Sequence, residues 1–172
     1  MTLKEALLQG QRLLEQAGVA EPRLTAEVLL AHATQHDRVW LIAHSNEELI
    51  ELWWIHYGRY LHQRIEGKPT QYITGHQEFY GRDFRVTPDV LIPRPETEHL
   101  IEAALKVNAR NILDVGTGSG CIAITLALET GARVTATDIS ATAVNIARQN
   151  ATKLGAQVEV LICDLIPEGR AF

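Results

Sequence analysis

The sequence predicts an α/β fold in which helices come first and alternating strands and helices follow. Three observations lead to this prediction. Apolar residues recur at helical spacing through residues 1–67, β-type runs flank a glycine near position 81, and strand-like and helix-like segments alternate from residue 111 onward. We therefore divide the 172 residues into a small helical bundle at 1–67, a linker with a β-hairpin at 68–93, and an α/β region at 94–172.

Capping signals mark the predicted helices near the N-terminus. Thr2 and Glu5 form a capping box for a first helix that ends at Gly18, and Pro22 opens the second helix. A short third helix is predicted at 38–44.

A long fourth helix is predicted to start at a second capping box, formed by Ser45 and Glu48, and to end at Gly67. One face of this helix carries large side chains at helical spacing, namely Trp53, Tyr57, Tyr60, Leu61 and Ile65. Such a stripe is either a recognition surface or core, and we expect core.

A β-hairpin is predicted after the helices. The β-type runs at 78–80 and 84–86 flank the tripeptide at 81–83, which predicts a three-residue turn. The prolines that follow hold the chain extended until a helix begins near Glu96.

The most informative segment is a glycine-rich loop between a strand and a helix. Residues 111–115 have the pattern of a buried strand, an apolar helix follows the glycines, and a second apolar strand at 133–137 ends in Asp138. Glycine permits the tight turn and lets a ligand approach the amides at the helix start. A carboxylate at the end of the second strand can accept hydrogen bonds from both ribose hydroxyls. We therefore predict a site for a nucleoside-bearing cofactor, rather than an ordinary strand-to-helix turn.

The glycine spacing favours one class of cofactor. A dinucleotide motif needs a third Gly or Ala at the position of Cys121, so a pyrophosphate ligand fits poorly. The pattern Asp-x-Gly-x-Gly-x-Gly at 114–120 resembles motif I of the S-adenosylmethionine-dependent methyltransferases, which have a Rossmann-like sheet. In those enzymes the loop passes under the methionine part of the cofactor, and the acid after the second strand holds the ribose. A sulfonium cofactor carries no phosphate, and the loop accordingly contains no basic residue.

Three further segments narrow the resemblance to one family. Residues 67–75, 78–81 and 90–98, the last containing Ile-Pro-Arg-Pro-Glu-Thr-Glu, resemble the release factor glutamine methyltransferases. The second predicted helix shares the resemblance through Pro22, Ala26 and Glu27. The resemblance implies a substrate-recognition domain at 1–67 and the N-terminal half of a Rossmann-like methyltransferase domain at 94–172. It also implies S-adenosyl-L-methionine as cofactor, and methyl transfer to the glutamine side-chain amide in the Gly-Gly-Gln motif of peptide chain release factors, the expected partners.

Individual site residues follow from the same resemblance. The implied cofactor-binding residues are Asp114, Gly116, Thr117, Gly118, Ser119, Gly120, Asp138, Asp164 and Leu165. Asp164 either bonds the adenine amine or caps the next segment, and Leu165 stands where an aromatic residue is sometimes found. Arg94 is expected to border the substrate, the alternative being a solvated loop position.

The Asn-Pro-Pro-Tyr motif with which the family orients the substrate amide does not occur in the chain. In the family this motif follows a fourth strand, whereas this sequence continues from a predicted third strand at 158–162 to a loop at 166–170 and ends soon after. We therefore expect an N-terminal fragment with a cofactor half-site, no catalytic residue of its own and no activity alone. An unpaired edge on the first strand would then allow self-pairing with another copy.

Composition and charge restrict the remaining possibilities. A net charge of -5 argues against nonspecific nucleic-acid binding, so contact with nucleic acid is expected only indirectly, through the ribosome-release machinery. The sequence has neither a membrane-length apolar run nor a signal-peptide core, which predicts a cytoplasmic protein. Cys121 and Cys163 are predicted as small core residues, and no metal site is predicted. Two alternatives stay open, a nucleic-acid amino methyltransferase and a non-catalytic binding module.

Overall fold

The computed structural model describes residues 1–166, so most of the loop predicted at 166–170 lies outside the described residues. Contacts divide the chain into two units, Met1–Thr74 and the residues from Gly75 onward. The domain boundaries predicted near residues 67 and 93 remain predictions. The helices of the first unit are α1 at Leu3–Gln16, α2 at Pro22–Thr34, α3 at Arg38–Ala43, α4 at Glu51–Ile65 and α5 at Thr70–Thr74.

Helix α1 begins with the predicted capping box. The Thr2 hydroxyl accepts a hydrogen bond from the Glu5 N–H at 3.2 Å, and the Glu5 carboxylate accepts one from the Thr2 N–H at 2.8 Å. Both bonds satisfy amides that have no partner within the helix. Pro22 is the first residue of α2, which confirms the second predicted helix start.

The capping box predicted at Ser45 and Glu48 is wrong, because helix α4 begins only at Glu51. This segment pairs with the beginning of the chain instead. The Ser45 carbonyl accepts the Lys4 N–H at 2.9 Å, and Glu48 forms an antiparallel bridge with Thr2. The non-local contact supplies an acceptor to the first turn of α1, which no local capping pattern can foresee.

The second unit begins with a β-hairpin, which confirms that prediction. Strand β1 is His76–Phe79 and strand β2 is Arg82–Arg85. The predicted three-residue turn is wrong, because the turn consists of Tyr80 and Gly81, with φ of 51° and 70°. Positive φ at both positions is what a two-residue type I′ turn requires. The carboxylate of Glu98 helps to hold Tyr80 in this conformation by accepting its N–H at 2.8 Å.

A parallel sheet forms the rest of the second unit. Strands β3 at Asn111–Val115, β4 at Arg133–Asp138 and β5 at Val158–Ile162 lie in the order β3-β4-β5, and their bounds confirm the three predicted strands. The predicted burial of β3 is wrong, because its residues are half-buried or exposed, and β3 is at the edge of the sheet that residues 1–166 form. Helix α7 at Cys121–Thr130 connects β3 to β4, and helix α8 at Ala141–Leu154 connects β4 to β5. Within residues 1–166, β3 pairs with β4 only, and self-pairing at its other edge stays a prediction.

The strand register brings the segments after the three strands together. Val115 lies opposite Thr137, and Asp138 lies opposite Ile162. Because the strands are parallel, their carboxyl ends share one edge of the sheet, where ligands bind in open α/β folds. The glycine loop, Asp138 and the residues after β5 are therefore neighbours.

The hairpin packs onto the helices of its own unit. Phe79 and Phe84 are buried with their rings edge to face, 6.1 Å between centroids. They share an apolar cluster with Ile101 of helix α6, which spans Glu98–Leu105 and follows a short 3₁₀ turn at Pro95–Thr97. Burial of each phenylalanine side chain contributes about 1.5–3 kcal/mol, so the hairpin is firmly attached to this core.

The aromatic stripe on α4 is only partly core. Tyr57 and Leu61 are buried as predicted, and Trp53 and Tyr60 are half-buried. Ile65 is 40% exposed, so the prediction is wrong at that residue. The buried part of the stripe contacts α1 and α2.

Tyr57 fits against α1 because position 10 is a glycine. A Cβ on Gly10 would lie 1.9 Å from the Tyr57 hydroxyl oxygen and 2.7 Å from Cζ. The hydroxyl is buried without a hydrogen-bond partner among residues 1–166, and burial raises the pKa of Tyr57 above its ordinary value. The close approach of α1 and α4 therefore depends on the absence of a side chain at Gly10.

We expect Gly10→Ala to reduce the free energy of unfolding by about 1–3 kcal/mol, because the added methyl group overlaps the Tyr57 ring end. Gly58→Ala is the matched control, since this glycine also lies inside a helix but has open space at its Cβ position. That control should gain about 0.5–1 kcal/mol. Urea unfolding followed by tryptophan fluorescence reports on the first unit, because all three tryptophans lie there. Equal effects of the two substitutions would contradict the packing argument.

Candidate cofactor site

The glycine loop is bonded to the end of strand β4. The amides of Gly116 and Thr117 both donate to the Thr137 carbonyl, at 2.8 and 2.9 Å. The amide of Gly118 donates to Oδ2 of Asp138 at 2.9 Å. These bonds hold the loop over the carboxyl end of the sheet.

Three residues of the loop need glycine for different reasons. Gly116, Gly118 and Gly120 have φ of 75°, 56° and 82°, a region that other L residues rarely adopt. At Gly116 and Gly118 the position of a Cβ is open space, so the backbone there faces a region that a ligand can occupy. At Gly120 a Cβ would lie 2.8 Å from Ile124 Cδ1 and 3.1 Å from Ala147 Cβ. Gly120 therefore permits close packing of the loop between α7 and α8.

Asp114 is a half-buried carboxyl group at the start of the loop. Burial raises the pKa of Asp114, and the nearby charge of Asp138 raises it further. Hydrogen bonds from the Thr117 hydroxyl, at 2.7 Å, and from the Ala123 amide lower the pKa in part. Asp114 therefore helps to fix the conformation of the loop by accepting the hydrogen bond from Thr117.

Asp138 is half-buried and accepts hydrogen bonds through both carboxylate oxygens. Besides the Gly118 amide at Oδ2, the Ser140 amide donates to Oδ1 at 2.9 Å. Its backbone carbonyl accepts the Cys163 N–H at 3.0 Å. The side chain predicted to bind ribose is thus fixed in place before any ligand arrives.

The segment after β5 reaches the same edge of the sheet. Asp164 and Leu165 are exposed, and Leu165 has φ of 61°. The Leu165 carbonyl accepts a hydrogen bond from the Thr137 hydroxyl at 2.8 Å. The structure therefore brings these two predicted residues next to the end of β4.

Arg94 lies on a different segment from the other predicted site residues. It immediately precedes the 3₁₀ turn, its side chain is exposed, and its carbonyl accepts the Thr97 N–H at 3.0 Å. Its predicted position beside the substrate stays a prediction.

Cys121 follows the loop directly and is buried, as the sequence predicts. Burial raises the pKa of its thiol to about 11, so the thiol is neutral near pH 7. Cys163, the other cysteine, is only half-buried, so it is not the full core residue that was predicted.

Sequence reasoning missed two residues that hold the site. The Ser140 amide that bonds Asp138 belongs to the residue that caps α8, through a side-chain bond to Ala143 N–H at 3.2 Å. Asn150 is fully buried on α8, and its Nδ2 donates to the Ser119 carbonyl at 2.8 Å. For Asn150 the sequence did offer a signal, because it is a polar residue on the otherwise apolar buried face of α8.

The fold and the loop define the class of protein, an α/β domain of methyltransferase type preceded by a helical unit. Residues 5–75 match the family model described as the PrmC N-terminal domain, and residues 95–171 match the methyltransferase small domain. No helix among residues 1–166 has both the length and the apolar character needed to span a bilayer.

Relatives with these two parts narrow the class to one family. The release factor glutamine methyltransferase of Koribacter versatilis is 52% identical over an alignment that covers 100% of this chain and 64% of the relative. That of Moorella thermoacetica is 46% identical, covering 94% of this chain and 59% of the relative. The chain belongs to the release factor glutamine methyltransferase family, and it spans 64% and 59% of the length of these two curated relatives.

A solved structure also matches part of the chain. It is the Pyrococcus abyssi tRNA (uracil-54, C5)-methyltransferase in complex with S-adenosyl-L-homocysteine, at 20% identity and a TM-score of 0.46. The match covers 52% of this chain and 23% of that protein.

The raised pKa of Asp114 predicts a pH dependence of stability. The folded state binds this proton more tightly than the unfolded state, so the contribution of Asp114 to stability falls as pH rises from the ordinary value of 3.8 through the raised value. Asp114→Asn keeps an acceptor for Thr117 but removes the charge. We therefore expect this substitution to become less destabilising, or stabilising, between acidic and neutral pH, by about 1.4 kcal/mol for each unit by which the pKa is raised.

Chemical denaturation of both proteins across this pH range, followed by far-UV circular dichroism, measures the effect. Thr117→Val is the second arm, because it removes a bond that lowers the pKa of Asp114 and should steepen the dependence. A difference between wild type and Asp114→Asn that does not change with pH would contradict the burial argument.

Proposed function

We propose that the carboxyl edge of the sheet binds S-adenosyl-L-methionine. One observation carries this proposal: four of the loop amides bond within the protein. Three donate to the end of β4, and the Gly120 amide donates to the Thr117 carbonyl at 2.9 Å. A phosphate cradle requires loop amides that point toward the anion, so this loop is poorly suited to a pyrophosphate.

The charges at this edge support the same cofactor class. Asp114, Asp138 and Asp164 belong to the segments that meet there, and these segments, 114–120, 138–140 and 163–166, contain no Lys, Arg or His. An acidic edge suits the positive sulfonium centre of S-adenosylmethionine and repels phosphate groups. The open space at Gly116 and Gly118 gives the ligand room above the loop.

Roles for individual residues follow from this placement and from the resemblance. We assign the segment Gly116, Thr117, Gly118, Ser119 and Gly120 to the methionine part, and Asp138 to the ribose hydroxyls. Each Asp138 oxygen has one bond from a protein amide, and a carboxylate oxygen has capacity for a second. Asp164 and Leu165 are assigned to the adenine and Arg94 to the edge of the substrate pocket. When bound, the cofactor would supply an electrophilic methyl group.

Asp138→Asn should weaken binding of S-adenosyl-L-homocysteine about tenfold or more, because a charged acceptor for the ribose hydroxyls becomes a neutral amide. Isothermal titration calorimetry measures the dissociation constant. Asp89→Asn is the matched control, since Asp89 is an exposed acid that bonds Thr87 and should leave affinity unchanged. Titration with NAD⁺ completes the test, and binding of NAD⁺ in preference to S-adenosylhomocysteine would overturn the assignment.

We further propose that the whole protein methylates the glutamine side-chain amide in the Gly-Gly-Gln motif of peptide chain release factors, in the cytoplasm where these factors act. Family membership supports this, since the relatives are named for that reaction. An amide nitrogen is a poor nucleophile, because its lone pair is delocalised into the carbonyl. Catalysis must then come chiefly from orientation of the nitrogen toward the methyl group and from hydrogen bonds to the amide.

The Asn-Pro-Pro-Tyr motif that the family uses for this orientation is not among the 172 residues. We therefore propose that these residues supply the cofactor site, and that methyl transfer requires a segment carrying the motif. A chimera tests this: the chain is joined to the remaining C-terminal segment of the Koribacter versatilis relative.

With labelled cofactor and a purified release factor, the chimera should methylate the Gly-Gly-Gln glutamine, as detected by peptide mass spectrometry. The chain alone should not, and a release factor with Gln→Ala in the motif is the negative control. Robust transfer by the chain alone would refute the requirement for the motif. A chimera that binds cofactor but methylates RNA rather than the release factor would refute the proposed substrate.

A further inference from the structure

Asn150 connects the β-hairpin with the glycine loop. Its Nδ2 donates to the Ser119 carbonyl at 2.8 Å and to the Arg85 carbonyl at 3.0 Å, while its Oδ1 accepts the Arg85 N–H at 2.8 Å. The residue has no exposed surface. A buried amide is tolerated only where its polar atoms are bonded, and here each bond is made to backbone.

We infer that Asn150 is a positioning residue that fixes the Ser119–Gly120 peptide and makes the conformation of the glycine loop depend on the hairpin. The inference deepens the proposed function, because it states how the cofactor site is shaped. It rests on that function only for its effect on cofactor affinity.

On the hairpin side, the Asn150 amide pairs with β2 as another strand would. It accepts from the N–H and donates to the carbonyl of a single residue, Arg85, which lies opposite His76 in the hairpin. These backbone groups point away from β1, and without Asn150 they would be an unsatisfied strand edge. The Asn150 side chain thereby fixes the position of the end of β2 relative to helix α8.

On the loop side, one peptide group is held at both ends. Asn150 bonds the Ser119 carbonyl, and the N–H of the same peptide, from Gly120, donates to Thr117. Glycine at position 120 would permit other orientations of this peptide, because it tolerates both signs of φ. Two hydrogen bonds therefore help to select the observed orientation, and Asn150 makes one of them.

Helix α8 also contacts the loop one turn earlier. The space at Gly120 is limited by Ala147, whose Cβ would be 3.1 Å from an added Cβ. Ala147 and Asn150 are three residues apart and so lie on the same face of the helix. This face of α8 therefore packs against the loop through Ala147 and forms a hydrogen bond with it through Asn150.

Exposed contacts between the hairpin and α8 provide a control. Arg85 Nη1 donates to Gln149 Oε1 at 2.9 Å, and Lys153 Nζ donates to the Asp83 carboxylate at 2.6 Å. Both involve side chains in solvent and neither touches the loop. Removing Gln149 thus disturbs the same hairpin residue, Arg85, without removing the connection to Ser119.

The first experiment measures amide hydrogen exchange in the cofactor-free chain by NMR. In wild type, the Arg85 and Gly120 amides should open with the same free energy at low denaturant, as one cooperative unit. Gly81→Val strains the hairpin turn, where φ is 70° and the Cβ position is open, and should speed exchange at both amides about tenfold. Gly67→Val, with φ of 95° and equally open space in the first unit, is the matched control and should change neither.

The second experiment adds substitutions at Asn150. Asn150→Asp retains an acceptor for the Arg85 amide but loses the Nδ2 donor to the carbonyls of both Ser119 and Arg85, so exchange at Gly120 should rise about tenfold. Gln149→Ala should leave Gly120 within about twofold of wild type. In the double variant Gly81→Val/Asn150→Asp, the added Gly81→Val substitution should no longer speed exchange at Gly120. A general loss of stability would instead speed this exchange in either background. If Asn150→Asp does not fold, the comparison of Gly81→Val with Gly67→Val decides alone. A hairpin change that leaves Gly120 exchange unaltered overturns the inference.

A third measurement relates the link to cofactor affinity. Gly81→Val should weaken S-adenosylhomocysteine binding about tenfold, and Gly67→Val should not. If wild type binds no S-adenosylhomocysteine, the proposed function fails, whereas the exchange measurements still decide the role of Asn150. If binding is normal in Gly81→Val although exchange is faster, the link does not control the site and the inference is overturned.

Discussion

The carboxyl end of strand β4 is the junction on which the site depends. Thr137 and Asp138 accept hydrogen bonds from the backbone amides of Gly116, Thr117, Gly118, Ser140 and Cys163. The loop after β3, the start of α8 and the segment after β5 are thereby all shaped around two residues. Since these bonds are partly buried, losing one acceptor would leave amides unsatisfied in several segments at once. Asp138, which the sequence predicts as the ribose ligand, is therefore a structural residue through both of its carboxylate oxygens.

Local pattern was sufficient for the elements that local forces determine. The strands at 111–115 and 158–162 were found because short runs rich in Val, Ile and Leu between turn residues are typical of strands, and the first capping box because its two residues bond each other. The Ser45 box failed because its backbone bonds a distant segment. The hairpin turn was predicted one residue too late and one residue too long, because Tyr80, a residue that disfavours positive φ, is held in the turn by Glu98 of helix α6.

The candidate site divides in the same way. The tight turn at its glycines could be predicted because motif spacing reflects a backbone requirement within one strand-loop-helix unit, and Gly116, Gly118 and Gly120 all have positive φ. The internal bonding of the loop amides could not be foreseen, since it depends on the register of β3 against β4. Asn150 was missed for a related reason, because its partners are 31 and 65 residues away in the chain. Pattern analysis locates a glycine-rich loop, whereas the conformation of that loop depends on contacts that only the folded chain contains.

The β-hairpin is packed into the core of the second unit. Phe79 and Phe84 lie in the core of that unit, and ion pairs with α7 and α8, such as Arg82 with Glu129, fasten its rim. The Asn150 bonds differ from these contacts because both partners are backbone groups. Substitutions of the side chains at Arg85 or Ser119 therefore preserve the connection, whereas a change at Asn150 itself removes it. Asn150 on α8 therefore connects the hairpin to the glycine loop without using any side chain of either segment.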